Sequence, residues 1–298
     1  MTPEDNFSVV ELAPCIYMCR ELHYAQKWNT ANCYVVQGTK MDLIIDTGLG
    51  LWNFKEFLVQ KKLISQNDKP YIAVVTHVHF DHSGGLHQFA DSCAIHEEEQ
   101  EAIETSDNVA ACTFIYQTDI EKNPPTPDWQ AADYHVRPVK PTRVLRGRES
   151  SFDLGDNRII QVIHTPGHSA GSIVFWDEQT GILFSGDTVC DGPVLDWAPT
   201  SSVEDYLQTM DILSSLASKV KRVFPGHDNE FDGNRLKQIA DDYLKGAGTC
   251  HSCTAKLTKA LATMLLRGRN AKGATSCERG CYHACCCSCI FGPAMNHG

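Results

Sequence analysis

The segment Thr76 to Gly85, THVHFDHSGG, places three histidines and an aspartate within six residues. Imidazole nitrogen and carboxylate oxygen are the donors that zinc and its neighbours take. His77 and His79 alternate as on a strand end, so both can face the same way. Asp81 and His82 follow around a turn of small residues, Ser83, Gly84 and Gly85. A polar turn with satisfied histidines would account for one such group; four together point to a metal. His168 in HTPGHSAGS, Asp187 in FSGDT and His227 in VFPGHD extend the set. Each falls on a short loop beside a strand-like run, where a rigid scaffold presents its working groups.

The elements that must position these groups alternate between β and α. Val9 to Arg20, Asn32 to Gly38 and Met41 to Asp46 read as early strands, rich in Val, Ile and Tyr. Leu51 to Ile64 reads as a helix, and Tyr71 to Thr76 as a short strand feeding the histidine motif. A strand at Cys93 to His96 precedes an acidic helix, Glu97 to Thr105. Further strands are expected at Tyr134 to Pro138, Arg158 to His164, Ser172 to Trp176, Ile182 to Ser185 and Val220 to Phe224. Helices are expected at Val203 to Ala217 and Phe231 to Lys245. Two β-rich halves with outer helices fit a sandwich of two sheets. The stretch Asp107 to Val144 is a candidate wall of the substrate cleft or a surface loop. His96 and His164 end strands near the motifs and read as outer or ordinary polar residues rather than ligands.

Hydrophobic content of 42% and charged content of 21% are those of a globular chain. No apolar run is long enough to span a bilayer, and MTPEDNFSVV lacks the pattern of a secretory signal. A cytosolic or cytosol-facing location is therefore expected. Lys245 to Gly298 holds seven basic residues and one acid, a net +6 against −11 for the whole chain, so residues 1–244 carry −17. Such an acidic body disfavours nucleic acid as a partner, whereas the basic tail suits an anionic membrane surface. Of the 14 cysteines, Cys15, Cys19, Cys33, Cys93, Cys112 and Cys190 read as mostly buried small hydrophobes. The other eight crowd the tail. The expected division is a catalytic domain at 1–248 and a basic, Cys-rich extension at 249–298.

Five separated motifs occur in one order: IIDTG ending in the turn after Asp46, THVHFDH, PGHS, SGDT and PGHD. Together they resemble the metallo-β-lactamase superfamily. The resemblance implies an α/β fold, the αββα sandwich, with metals at the sheet edge. It implies two zinc ions, the first held by His77, His79 and His168 and the second by Asp81, His82 and His227, with Asp187 bridging. Asp46 would either support the site from behind or simply form a turn with Thr47 and Gly48. An aspartate rather than a cysteine at the bridging place implies a glyoxalase-like or general hydrolase more than an antibiotic-degrading enzyme. Iron or manganese would also accept these donors. Two ions sharing a water would make hydroxide available near neutral pH to attack a carbonyl, with Asp81 orienting or deprotonating it.

The longer runs NTANCYVVQG, DLIIDTGLGL and ILFSGDTVCDGPVLDWAPTSSVEDY resemble an acyl-coenzyme A thioesterase branch of that superfamily. That resemblance, which covers about Val9 to His251, implies hydrolysis of long-chain acyl-CoA such as palmitoyl-CoA. Two alternatives are a glyoxalase II-like hydroxyacylglutathione hydrolase and a non-catalytic metal-binding scaffold held at a membrane.

The tail suggests its own chemistry. Leu257, Leu261, Met264 and Leu265 have helical spacing, with Lys256, Lys259 and Arg267 largely on another face. Cys281, Cys285, Cys286, Cys287 and Cys289 follow beside Ile290 and Phe291, a pattern suited to lipidation and peripheral attachment to the endoplasmic reticulum or plasma membrane. A structural zinc site from Cys250, Cys253, Cys277 and Cys281 is the competing reading, and an extension without a role is a third.

Overall fold

The structure is a computed structural model that describes residues 6–22, 30–65, 68–113, 126, 128–130, 134–147, 150–192 and 194–246. The expectations for the cysteine-rich tail, helix and lipidation candidates alike, lie outside the described residues. Strands β1 (Phe7–Ala13), β2 (Ile16–Glu21), β3 (Cys33–Val36) and β4 (Asp42–Ile45) run antiparallel to one another. Strands β5 (Tyr71–Val74), β6 (Cys93–His96) and β7 (Arg143–Leu145) then add in parallel to complete a seven-stranded sheet. The second sheet has the order β12-β11-β10-β9-β8. Its strands are β8 (Ser151–Asp153), β9 (Ile159–His164), β10 (Ile173–Asp177), β11 (Ile182–Gly186) and β12 (Arg222–Pro225).

Strands β4, β5 and β6 are apolar nearly without alternation, and every residue in them is buried. A parallel strand covered on both faces has that composition. One face of each sheet meets the other: Val36, Leu43, Ile45 and Val74 pack against Ile160, Phe175, Phe184 and Phe224. Helix α1 (Phe54–Gln60) and helix α3 (Gln100–Thr105) cover the outer face of the first sheet, sending Phe54, Phe57 and Ile103 against Ile44, Val75 and Ile95. Helices α4 (Val203–Leu216) and α5 (Gly233–Gly246) cover the second, with Met210, Leu213 and Leu236 against Trp176, Leu183 and Val223. The four layers are the expected αββα sandwich. Each large apolar side chain buried there contributes about 1.5–3 kcal/mol.

Several expectations are corrected. The run Val9 to Arg20 is a hairpin, because Cys15 adopts φ +63°, and that cysteine is exposed rather than buried. The helix expected over Leu51 to Ile64 is confined to Phe54–Gln60, where Asn53 accepts a bond from the Glu56 N–H as N-cap. Tyr134 to Pro138 is not a strand. Its alternation is real, with Tyr134 and Val136 buried, but it meets α3 and the end of that helix instead of a strand: Val136 O accepts from Ser106 Oγ just past α3, and Val139 N–H, one residue beyond the run, donates to Ile103 O. The edge strands β7 and β8 have three residues each and carried no readable period.

The two sheets are tied together at one edge. Ile173 N–H donates to Thr76 O at 2.9 Å, and Asn32 N–H to Gly226 O at 2.7 Å. Tyr34 Oη donates to Pro225 O at 2.6 Å. The histidine and aspartate motifs emerge at this edge.

Candidate metal centre

His77 and His79 leave the loop that follows β5. Asp81 and His82 belong to a four-residue helix, α2 (Phe80–Ser83), with His79 as its N-cap residue. His168 follows β9, Asp187 follows β11 directly, and His227 lies two residues past β12. All seven side chains converge. His77, His79 and His168 present ring nitrogens within 4.8 Å of one another, as do His77, His82 and Asp187 as one further group, and Asp81, His82 and His227 as another. Asp81 is buried at 6% exposure.

Each histidine has one ring nitrogen taken by an outward partner, and this fixes which nitrogen faces inward. His168 Nδ1 donates to Leu195 O at 3.0 Å, and His227 Nδ1 to Thr30 O at 3.2 Å. His77 Nδ1 lies 3.0 Å from Thr76 Oγ1, whose own hydrogen faces Asp46. His82 Nδ1 donates to Asp46 Oδ2 at 2.9 Å. His79 is turned the other way: its Nε2 meets Cys112 Sγ at 3.4 Å, and its Nδ1 faces inward.

The inward atoms are crowded in a manner that suits cations. His79 Nδ1 and His168 Nε2 are 3.0 Å apart. With their other nitrogens acting as donors, both are lone pairs, which repel unless a cation shares them. Burial, reinforced by the neighbouring His168, pushes His79 down to about 3, and burial with three neighbouring histidines holds His77 well below the usual range. These rings are therefore neutral and able to ligate. Buried His77 Nε2 has no hydrogen-bond partner among the described residues, an expensive arrangement unless something else satisfies it.

The other half of the cluster is carboxylate-rich. Asp187 Oδ2 lies 3.3 Å from His227 Nε2 and 3.6 Å from His168 Nε2, while its Oδ1 lies 3.3 Å from His82 Nε2. Its two oxygens thus address both halves. Asp81 Oδ2 is 3.2 Å from His227 Nε2 and 3.6 Å from His82 Nε2. Burial opposes charge on His82, yet Asp187, Asp81 and Asp46 raise it well above the ordinary value, and Asp187 and Asp81 do the same for His227. A position where carboxylates hold positive charge on two imidazoles is also one where a divalent cation fits. Nitrogen and oxygen donors of this kind suit a divalent transition metal.

The local chain is shaped for this convergence. Asp46 sits at φ +63°, and its carboxylate accepts the Thr76 N–H at 2.7 Å as well as His82. That places it behind the cluster rather than in a simple turn. Gly226 has no room for a side chain, since a Cβ there would fall 2.2 Å from Asp187 Oδ1. Helix α4 and the turn that leads into it pin two of the loops: Ser201 Oγ, just before the helix, donates to His168 O at 2.6 Å, and Tyr206 Oη, within it, to Thr188 O at 2.9 Å. His96 and His164 stand apart, stacked on each other with ring centroids 4.0 Å apart.

The sequence alone does not mark Thr76, Cys112, Ser201 or Tyr206 as supports of the cluster. Thr76 adjoins the motif and was within reach. Cys112 gave no local signal, since its partner His79 lies 33 positions away.

The metallo-β-lactamase superfamily profile matches residues 27–227. This chain is a member of the metallo-β-lactamase superfamily. Over 266 residues it is 40% identical to the Homo sapiens protein named acyl-coenzyme A thioesterase MBLAC2, covering 86% of this chain and 94% of that one. The Gallus gallus protein of the same name is 39% identical over 282 residues, 93% of this chain and all of that one. Among solved structures, a metallo-β-lactamase family protein from Thermus thermophilus superposes with TM-score 0.60 at 21% identity, covering 79% of this chain and 80% of the other. A metallo-β-lactamase from Pontibacter korlensis does so with TM-score 0.57 at 18% identity, over 80% and 99%. These last two share the superfamily fold, two packed sheets with helices outside.

Proposed function

We propose that this chain is a zinc-dependent thioester hydrolase that releases fatty acid and coenzyme A from long-chain acyl-CoA, with palmitoyl-CoA as the representative substrate. The observation that carries the reading is the 40% identity over 86% of the chain to a protein named acyl-coenzyme A thioesterase. Two zinc ions are assigned, one to His77, His79 and His168 and one to Asp81, His82 and His227, with Asp187 bridging. Bound there, zinc supplies Lewis acidity that acidifies water and polarises a carbonyl.

The chain's own groups do the rest. Asp81 orients the attacking water and takes its proton, because its carboxylate lies at the inner face beside His227. Asp46, Thr76, Leu195 and Thr30 hold His82, His77, His168 and His227 in their working tautomers. A thiolate leaves without a dedicated acid, since a free thiol has a pKa of about 8.5. That matches a site in which no separate proton donor is evident among the described residues.

The deciding experiment measures metal content by mass spectrometry and turnover of palmitoyl-CoA, lactoylglutathione and a chromogenic cephalosporin by the purified full chain. Two zinc ions per chain and preferential palmitoyl-CoA hydrolysis are expected. Preferential lactoylglutathione hydrolysis would transfer the assignment to a glyoxalase II-like enzyme, and zinc without turnover to a binding scaffold.

Peripheral membrane attachment through lipidated Cys281, Cys285, Cys286, Cys287 and Cys289 is part of the same proposal. Two acyl chains beside a basic segment give stable anchoring. Fractionation of cell extracts before and after hydroxylamine tests it; a chain that stays soluble throughout refutes it.

A further inference from the structure

A cavity adjoins the segment that carries Asp81 and His82, with Gly84 in its wall. Its volume is about 310 Å³, a size within the usual range of small-molecule clefts. Leu49 and Leu51 form an aliphatic side, and Trp129 and Tyr134 contribute aromatic rings. His87, His135 and Arg137 complete it, and no carboxylate is among the described residues that line it. That is unusual for a chain with net charge −11, and more so for a body whose residues 1–244 carry −17.

The cavity is joined to the metal cluster through backbone. Gly84, two residues after His82, lines it and accepts the His87 Nδ1–H at 2.9 Å. Tyr134 Oη donates to Leu49 O at 2.8 Å and lies 3.3 Å from Phe80 O, so one buried phenol locks this wall to the residue preceding Asp81. Gly50 and Gly84 approach so closely that a Cβ on Gly50 would fall 2.1 Å from Gly84 O. The wall is therefore rigid where it meets the catalytic loop. On its open side, His135 and Arg137 are both solvent-exposed.

We propose that this cavity binds the phosphorylated adenosine end of the acyl-coenzyme A substrate, leaving the pantetheine arm to carry the thioester to the metal cluster. The inference rests on the thioesterase reading. An indole face suits a stacked purine, and a guanidinium suits bidentate pairing with a phosphate. Arg137 already acts on its neighbour: after burial, its charge is what lowers His87. A multiply charged phosphate placed there opposes that effect and favours the charged imidazole. An acyl-glutathione lacks both the purine and the phosphates, so the same lining also selects between thioesters.

The test uses the full chain and adenosine 3′,5′-bisphosphate, a fragment with no thioester. Calorimetric titration is expected to show one site, weakened tenfold or more by Arg137→Gln and by Trp129→Ala. Lys237→Gln, a charge change on α5 outside the cavity, is the control. Arg137 is exposed and makes no ion pair recorded among the described residues, so its replacement preserves the fold. Turnover adds a second reading: wild-type preference for palmitoyl-CoA over palmitoyl-pantetheine should shrink by about tenfold in Arg137→Gln. Equal bisphosphate affinity in wild type and Arg137→Gln, or no binding at all, overturns the proposal. If wild type hydrolyses both thioesters with one KM, the cavity assignment fails while the thioesterase reading stands. If wild type hydrolyses neither yet binds the bisphosphate through Arg137, the thioesterase reading fails and the nucleotide site stands.

Discussion

Asp46 Oδ2 lies 2.9 Å from His82 Nδ1, with both side chains essentially excluded from solvent. Asp46 touches none of the inward-facing positions, yet it decides which nitrogen His82 presents. The same carboxylate accepts the Thr76 N–H and Oγ1–H, and through Thr76 it reaches His77. Asp46→Asn keeps the shape but removes the charge, so metal affinity should fall by about 10–100-fold. Competition with a chelator of known affinity measures this. Wild-type affinity in the variant would show that Asp46 only shapes its turn.

Asp81→Ala removes a carboxylate that faces two imidazoles and that we assign to orienting the nucleophile. Loss of kcat by about a thousandfold is expected, of the size seen when a preorganised charge-stabilising group is deleted. Because Asp81 is buried among polar groups rather than in an apolar cluster, a cooperative thermal transition should survive. Near-normal turnover by a variant loaded with metal would end the assignment.

Cys112 is held at φ +55° with its Sγ on His79 Nε2. A side chain kept in that backbone region marks a local requirement. Cys112→Ala should weaken metal binding about tenfold and alter the visible spectrum of the cobalt-substituted protein, while Cys112→Ser, which restores an acceptor, should recover most of both. If the alanine variant binds and absorbs like wild type, the thiol is mere packing.

Gly226→Ala would drive a methyl group into the 2.2 Å gap beside Asp187 Oδ1 and within 2.9 Å of His82 Cε1. The expected result is a folded protein with reduced metal content, since the displaced atoms face the cluster rather than the inter-sheet core. Full metal occupancy, read by mass spectrometry, would contradict that geometry.

Glu21 gives a pH signature. Burial pushes its carboxyl from 4.5 up to about 8, against the Leu49 N–H that donates to it at 2.9 Å. The native state therefore keeps a proton that the unfolded chain releases, and stability falls as pH rises from about 4.5 to about 8. Glu21→Gln retains an acceptor for Leu49 and cannot ionise. Its stability advantage over wild type in urea titrations should grow across that window to the order of a few kcal/mol. Parallel curves for the two proteins would refute the assignment.

Much of the site was legible because its information is local. THVHFDH puts four converging groups on one strand end and one turn, and Asp187 and His227 each follow an apolar strand that could be read from composition alone. The strands β4, β5, β6 and β11 were equally plain, because burial on both faces demands an unbroken apolar run. What the sequence by itself determined is thus the set of chemical groups and the layers that carry them.

The tertiary structure decided the rest, for reasons of distance along the chain. Tyr134 and Val136 alternate like a strand, but strand formation needs a pairing partner, and α3 and the loops around it met their backbone instead. His96 and His164 end strands as the cluster histidines nearly do, yet they stack on each other, because the neighbour of a strand end belongs to the opposite sheet. Each imidazole's inward nitrogen was set by a partner such as Leu195, Thr30 or Cys112, remote in sequence from the ring it holds. A local motif names the donors; only the packing of two sheets brings the partners that fix which lone pair each donor offers.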